Sequence, residues 1–517
     1  MTLLRRCLPL LALPFTLPAA QPKPAASRDA AWERWHAAPP AFDPARLPRR
    51  PELPREPISL QTPAPDCQPA AQAALRRGLE FYDQIATKAD YPTYGPCAGW
   101  CGAYSLDLKF RSGEDAQQIP ADAVKMQSVG TPQVTEAYLA AALALGDPKI
   151  LELARRGGNL MLAGQSPYGG WFFEMWVGPH RARGSHVWPG KAFWPDQGPE
   201  HGTDSATLDD GNTFGAAESL YKLWWVTKDQ RYYEGWRRAM DFLLLAQGAY
   251  GGGFPQSFPA EAYHRYATFN DGVMLNCVET LIKAYQRTGD KRYYGSFLAC
   301  ADWVERVHRQ GQGWGAQYDE QGTVAGARRF EPPGLEPPGT SSAMEILTLA
   351  YEWTGDPGYL TPLAAAAAWL EKVQIRPGVW SRFYHPDTNE PWYRTVDGKD
   401  CAFAQAKGGY TWQGAWGKRG IELAARYRGA VRQPARPAVA APGNPALEAA
   451  IVGHARPDAA AIAATVSAQL PNGCWPGGGR SGRQKNDALT ADGVGHFGSF
   501  VFVTNVHRLA DAIRPIP

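Results

Sequence analysis

The chain has little net charge, no long apolar run and none of the compact motifs that announce the common chemistries. Its 53 Lys and Arg stand against 50 Asp and Glu, for a formal charge of +3. No basic run accompanies them. That excludes charge-led binding to nucleic acid or to a membrane surface, while still allowing an anionic substrate. No nucleophile elbow, phosphate loop or HExxH pattern occurs, so the familiar hydrolase, nucleotide and zinc-protease sites are absent as local signatures. Cys97 and Cys101 flank a short loop, yet no second close Cys or His pair accompanies them, which argues against zinc.

What is present begins with the first residues. Arg5 and Arg6 precede a short apolar run that ends in Pro18, Ala19 and Ala20, the pattern of a secretory signal peptide over 1–20 and of a secreted or periplasmic protein. The run is too short to cross a bilayer, so no transmembrane segment is expected. A disordered apolar tail is the plain alternative, and Cys7 and Leu8 make a weak match to twin-arginine export. Loss of Cys7 with the signal leaves an odd number of the eight cysteines. A disulfide among Cys67, Cys97 and Cys101 would suit an oxidising compartment, and Cys277 and Cys300 read as buried small hydrophobes. Residues 21–66 and 431–447 are rich in Pro and Ala and read as a tether and a linker around a catalytic domain over 67–430. A C-terminal segment, 448–517, carries the closing helix pattern FVFVTNVHRLADAI.

A weak repeat organises the body. Turns carrying an aspartate open amphipathic helical patterns from Leu145, Thr227, Thr288 and Thr354, the last three starts lying 61 and 66 residues apart. Another helical pattern precedes each; ahead of Thr288, Val273, Cys277, Val278, Leu281 and Tyr285 share one face. Each unit is then a helical hairpin, and hairpins at this period stack to bury one another's faces. The expected fold class is all-α, an α/α toroid of repeated helical hairpins with long loops on one face; an open solenoid has the same repeat logic. The irregular insertions Gly164–Asp204, Ala249–Thr268, Gly311–Pro338 and Pro377–Gly409 all follow a second helix, so they should gather on that face. A monomer is expected.

Those loops hold the candidate chemistry. Asp209 and Asp271, 62 residues apart, each precede the first helix of a hairpin, with Asp210 and Asn270 beside them. Two carboxylates at equivalent hairpin mouths could hold calcium or serve as acid and base on a sugar, and simple helix capping is the bland reading of either alone. Arg328 lies in a Gly- and Pro-rich loop beside Arg329. Arg382 is flanked by Trp380, Phe383 and Tyr384, a setting for a stacked or carboxylate-binding guanidinium. Trp171, Phe254, Trp314 and Trp380 end the hairpins at similar points. They are sugar platforms or core, with core favoured for two of the four. Trp171, Tyr384 and Asn270 are taken as substrate-binding candidates.

At these residues the chain resembles the family 10 pectate lyases. GQSPYGGW from Gly164, ATLDDGNT from Ala206, GGFPQSFPAEAYHRYATFND from Gly252, ARRFEPPGL from Ala327, WSRFYHPDTNEP from Trp380 and GYTWQGAW from Gly409 are similar to six blocks of that family in the same order. The resemblance implies a helical toroid that cleaves polygalacturonate by β-elimination with calcium. Residue by residue it puts Asp271 on a calcium aspartate, Asp209 on the acidic residue of the substrate and calcium site, Arg328 on the catalytic base and Arg382 on a substrate-binding arginine. Glu390 and Val396 depart from it, standing where the family carries arginine, with Arg394 and Lys399 nearby as possible substitutes. A toroidal glycoside hydrolase using Asp209 and Asp271 or Glu331, and a non-catalytic glycan-binding protein, are the other readings.

Overall fold

The computed structural model describes residues 60, 68–112, 118–177, 205–248, 251–309, 311–406, 412–428, 456–477 and 495–514. The expected signal segment, the 431–447 linker, Cys67 and all of the 21–66 tether except Leu60 lie outside the described residues. Among the described residues the helices are α1 (Pro69–Ile85), α2 (Thr131–Leu145), α3 (Pro148–Gly164), α4 (Asn212–Thr227), α5 (Gln230–Gly248), α6 (Val273–Thr288), α7 (Lys291–Arg306), α8 (Pro337–Thr354), α9 (Leu363–Lys372), α10 (Lys418–Tyr427), α11 (Ala459–Ser467) and α12 (Ser499–Ile513). No described helix is long and apolar enough to cross a membrane.

The aspartate in each turn works as a helix cap. Asp147, Asp229, Asp290 and Asp458 accept from the backbone N–H of Lys149, Arg231, Arg292 and Ala461 at 3.0, 3.1, 2.9 and 2.6 Å, opening α3, α5, α7 and α11. Asp356 does the same, through Gly358 N–H at 2.8 Å, for the one-turn helix ahead of α9. Each satisfies a donor that the first helical turn leaves unpaired.

Two tiers follow from the apolar patterns. The even-numbered helices pack in succession, α12 on α2, α2 on α4, α4 on α6, α6 on α8 and α8 on α10, and form the inner tier. The most enclosed of them, α2, buries every residue except Gln133, Glu136 and Ala140. The odd-numbered helices cover them and keep one solvated face, as in α7, where Tyr293, Phe297, Cys300, Ala301 and Val304 point inward. The result is the α/α toroid. Its sixth pair is split across the sequence, since α12 packs against α1 as well as α2, and α11 lies against both α1 and α12.

Short antiparallel ladders tie each hairpin at its open end. The strand before an inner helix pairs with the strand after the outer helix of the same pair: Ala123–Lys125 with Glu174–Trp176, Ala206–Thr207 with Ser257–Phe258, Ala267–Thr268 with Gln317–Tyr318, and His496–Gly498 with Ala103–Ser105. The long insertions therefore leave from one face of the toroid, as the repeat requires.

One aromatic clamp recurs behind those ladders. Indole N–H groups of Trp171, Trp314, Trp380 and Trp475 donate to the carbonyl ten residues back, at Met161, Val304, Leu370 and Thr465, over 2.7–2.9 Å. Trp100 donates to Tyr82 at 2.8 Å. Backbone N–H groups at the same rings reach the next inner helix: Trp100, Trp171 and Trp314 donate to Oγ1 of Thr131, Thr213 and Thr340, and Phe254 to Sδ of Met274. Trp171, Phe254 and Trp314 have no exposed surface and Trp380 has 2%, so all four are core. The expected stacking of Trp171 on a sugar is thereby corrected: its ring is buried and its polar edge is spent on Met161.

A glycine is obligatory beside the clamp. Gly169 and Gly473 occupy the same place after α3 and α11, with φ of +106° and +91°, and a Cβ at either would meet the carbonyl oxygen of Arg238 or Arg77 at 2.3 Å. Gln165 and Gln469 secure these turns, each donating to the glycine carbonyl and to the carbonyl of a neighbouring outer helix, Gly235 or Ala74.

Among the described cysteines, Cys101, Cys277, Cys300, Cys401 and Cys474 are free thiols, and Cys97 is buried. The disulfide expected to involve Cys97 and Cys101 does not form between described residues, and Arg111 donates to the buried Cys101 Sγ at 3.0 and 3.1 Å instead. Cys277 and Cys300 are fully buried.

Ion pairs join neighbouring inner helices, and the most buried cation among them is Arg287. Arg287 on α6, buried and stacked 3.8 Å over Tyr221, grips Glu218 on α4 with two bonds of 2.7 and 2.8 Å. Burial alone would raise the Glu218 pKa, but the charge and hydrogen bonds of Arg287 outweigh it and hold the carboxyl down at about 2. A folded-state pKa below the unfolded value gives stability that is present above pH 4.5 and lost as pH falls toward 2. Arg287→Ala should therefore cost roughly 2 kcal/mol at neutral pH, less than a fully enclosed pair because Glu218 keeps some solvent contact. Denaturant unfolding at pH 7 and pH 3 checks this; an equal loss at both values would count against the pair.

Candidate functional site

Four residues before each clamp acceptor on the inner tier stands a polar side chain. Counting back from Thr131, Thr213, Met274 and Thr340 gives Gln127, Asp209, Asn270 and Glu336. The repeat thus delivers one polar group per hairpin to the mouth of the inner helices. In two copies the local geometry is nearly superimposable: Asp209 and Asn270 donate their backbone N–H to Thr207 and Thr268 Oγ1 at 3.1 and 3.0 Å. The next residues, Asp210 and Asp271, hold φ,ψ of 48°,26° and 48°,25°, each followed by a left-handed glycine. Asp210, not Asp209, is therefore the repeat partner of Asp271, which corrects the equivalence drawn from the 62-residue spacing; Asp209 corresponds to Asn270.

The structure brings Asp209, Asp210 and Asp271 together, with one carboxylate oxygen of each within 4.8 Å of the others. Asp209 is buried, Asp210 half-buried and Asp271 exposed. A carboxamide pins each one: Gln256 donates to Asp209 Oδ2, Gln127 to Asp210 Oδ2 and Asn270 to Asp271 Oδ2, all at 2.5 Å. Three hard oxygen donors at this separation fit one divalent cation of calcium size, whose ligands lie about 2.3–2.6 Å from the ion.

Arg382 adjoins this cluster. It is 9% exposed; Nη2 donates to Asn270 Oδ1 at 2.5 Å and Nε lies 2.6 Å from Glu336 Oε1. Asn270 thus touches both Asp271 and the guanidinium. Glu336 has no exposed surface, and burial pushes its carboxyl up to about 7 against the pull of Arg382, with Asp271 and Glu331 adding to the rise. Arg382 stands 6.0 Å from the Trp412 ring and 5.9 Å from Phe383. Paired backbone bonds between Leu335 and Tyr384 hold the Glu336 and Arg382 segments side by side.

Arg328 lies half-buried on the neighbouring loop. Its Nε and Nη2 donate to Glu331 Oε1 at 2.8 and 2.5 Å, and its backbone N–H donates to Oε2 at 3.2 Å. The guanidinium also sits 5.0 Å over the Phe330 ring. Arg329 is exposed.

Tyr384 is not in the site. It has no exposed surface, and its hydroxyl accepts the Ser381 N–H at 2.8 Å, as Tyr104 and Tyr318 accept from Cys101 and Gly315 at 2.7 Å. The recurring Trp-x-x-x-Tyr spacing at 100/104, 314/318 and 380/384 marks a structural ring, and the expected sugar contact of Tyr384 is corrected on that ground. Sequence reasoning missed Gln127, Gln256 and Glu336. The signal for Gln127 and Glu336 was their shared distance from the inner-helix Thr, visible only once the clamp is known.

The cluster has a direct test. Calcium titrated into the purified protein and followed by calorimetry should bind roughly tenfold more weakly after Asp210→Asn, as after Asp271→Asn. An Asp210→Asn protein with undiminished affinity would remove Asp210 from the cation shell.

Residues 190–378 match the family model for pectic acid lyase. No curated protein matches the chain. Among solved structures, the family 10 polysaccharide lyase from Cellvibrio cellulosa superposes with a TM-score of 0.41 and 20% identity, over 56% of this chain and 97% of that one. A variant of it in complex with trigalaturonic acid gives the same score and identity over 56% and 98%. A family 76 glycoside hydrolase from a bovine Bacteroides thetaiotaomicron strain gives a TM-score of 0.36 and 14% identity over 86% and 77%. These superpositions are too loose to bear on the site. The family-model match covers 189 of the 517 residues and spans Asp209, Asp271 and Arg328, so the chain carries a polysaccharide lyase domain similar to the pectic acid lyases.

Proposed function

We propose that the chain is an exported lyase that cleaves a polygalacturonate-like glycan by β-elimination, with calcium held by Asp209, Asp210 and Asp271. The reading is carried by Asn270, which accepts from Arg382 and donates to Asp271. One side chain couples a cation cluster to a guanidinium, as a reaction that builds charge on a carboxylate requires.

The hydrogen on C5 of a uronate is α to the carboxylate, and its removal adds negative charge there. Calcium bound at the cluster would supply positive charge that stabilises it. Arg382, held from behind by Glu336, presents a fixed donor fork to the same carboxylate. Arg328 takes the C5 proton, the freed electron pair forms the C4–C5 double bond, and the glycosidic oxygen leaves from C4. Glu331 fixes the direction in which the Arg328 nitrogens point. An arginine accepts a proton only as neutral guanidine, a small minority when the ordinary pKa lies above about 12. The rate should therefore climb toward alkaline pH. Export, read from residues 1–20, suits an enzyme whose polymer lies outside the cell.

The hydrolase reading is less well supported. The family-model match over residues 190–378 is to pectic acid lyases.

Polygalacturonate incubated with protein and calcium should yield product with the ultraviolet absorbance of an unsaturated uronate, and chelator should abolish it. Arg328→Ala should lose roughly a thousandfold in kcat. Reducing sugar without absorbance would indicate hydrolysis, and a rate flat from about pH 6 to about pH 10 would remove Arg328 as the base. Glu336→Gln should raise KM more than it lowers kcat, because it loosens the fork without touching the reacting carbon; a fall in kcat alone would contradict that role.

A further inference from the structure

We infer that the wall beside Arg382 binds a sugar whose carboxyl is masked, so that the substrate is a partly methyl-esterified galacturonan; this rests on the lyase reading above. The wall is the hairpin that pairs Tyr393 with Cys401 and Arg394 with Asp400. Its tip lies against the catalytic loop, a Cβ at Gly398 falling 3.2 Å from Arg329 O. Its base reaches the Arg382 side: Gln413 donates to Tyr393 Oη at 3.4 Å, and the adjoining Trp412 stands 6.0 Å from Arg382. The hairpin therefore spans between the two arginine segments.

Its surface carries apolar groups, and among its described residues each cation is paired. Val396, Phe403 and Trp412 are 48%, 50% and 36% exposed, and Phe403 packs 5.2 Å from Tyr393. Arg394 pairs with Asp400 at 2.8 Å and lies 5.0 Å over Trp392, whose indole N–H also donates to Asp400. Lys399 pairs with Asp397 at 2.9 Å. Neither Arg394 nor Lys399 thus replaces the positive charge missing at Val396, and exposed Glu390 adds a negative one. Among the described residues of the hairpin a free carboxylate would meet only cations that already have acidic partners, whereas an ester methyl and the C–H face of a sugar gain contact with Phe403 and Trp412. Arg382 and the acidic cluster still ask for one free carboxylate at the reacting sugar. A chain carrying both kinds of residue meets both demands.

Two readouts test this. Retardation in gels containing unesterified, partly esterified or heavily esterified galacturonan measures binding without turnover; the wild-type protein should be held by the partly esterified polymer at least as strongly as by the unesterified one. Val396→Arg should shift the preference toward the unesterified polymer roughly fivefold, and Phe403→Ala should weaken binding of the partly esterified polymer relative to the unesterified one by a similar factor. Wild-type retardation that falls steadily with esterification, or a Phe403→Ala variant that weakens both polymers equally, would overturn the inference. Initial rates of unsaturated product on the same polymers test the lyase reading separately. No product from any polymer would sink that reading, while the gels still decide what the wall binds.

Discussion

The polar groups at the mouths of the inner helices depend on one clamp: a core aromatic after the outer helix, anchored in the tryptophan copies by its indole to the end of that helix and, at Trp100, Trp171, Phe254 and Trp314, by its backbone N–H to the next inner helix. Because the clamp fixes where each inner helix starts, it fixes the height of the residue four places earlier. Gln127, Asp209, Asn270 and Glu336 are brought to one level by packing forces that have nothing to do with their own polarity. The chemistry can vary from hairpin to hairpin while the geometry stays constant.

That arrangement sets an electrostatic problem, since three carboxylates converge and a fourth, Glu336, is fully enclosed. The structure answers it locally. Each of the three takes a carboxamide donor, and Glu336 takes the buried guanidinium of Arg382. Amides are suited to the role because they satisfy one carboxylate lone pair without cancelling the charge, so the cluster keeps its attraction for a cation. Arg382 then serves two neighbours at once, which makes its orientation a property of the network and not of its own rotamer preference.

How much of this was legible beforehand varied with the physical scale of the signal. The hairpin period and the aspartate turns were readable, because apolar periodicity and N-capping are local. The convergence of Asp209 with Asp271 was readable from matched loops, but the register was read one residue out. Spacing alone cannot tell which of two adjacent aspartates shares the left-handed backbone of Asp271. Trp171 and Tyr384 were misread for the opposite reason. A large aromatic near a cleft looks like a sugar platform until its polar edge is seen to be bonded inside the core. Glu336 and the two glutamines were invisible because their partners are 46 to 83 residues away.

The split pair at the seam of the toroid has a kinetic consequence. Ser499 bonds Cys101 and Gln469 bonds Ala74 across separations of 398 and 395 residues, so the stretches that complete the ring leave the ribosome long after the segments they join. Until they arrive, the inner faces of α1 and α2 lack their neighbour and stay wet. Early hairpins can stack one on another as they emerge, yet the circuit shuts only against the closure entropy of a loop of 395 to 398 residues. The seam is therefore both the last joint to be made and the natural first place for the ring to breathe.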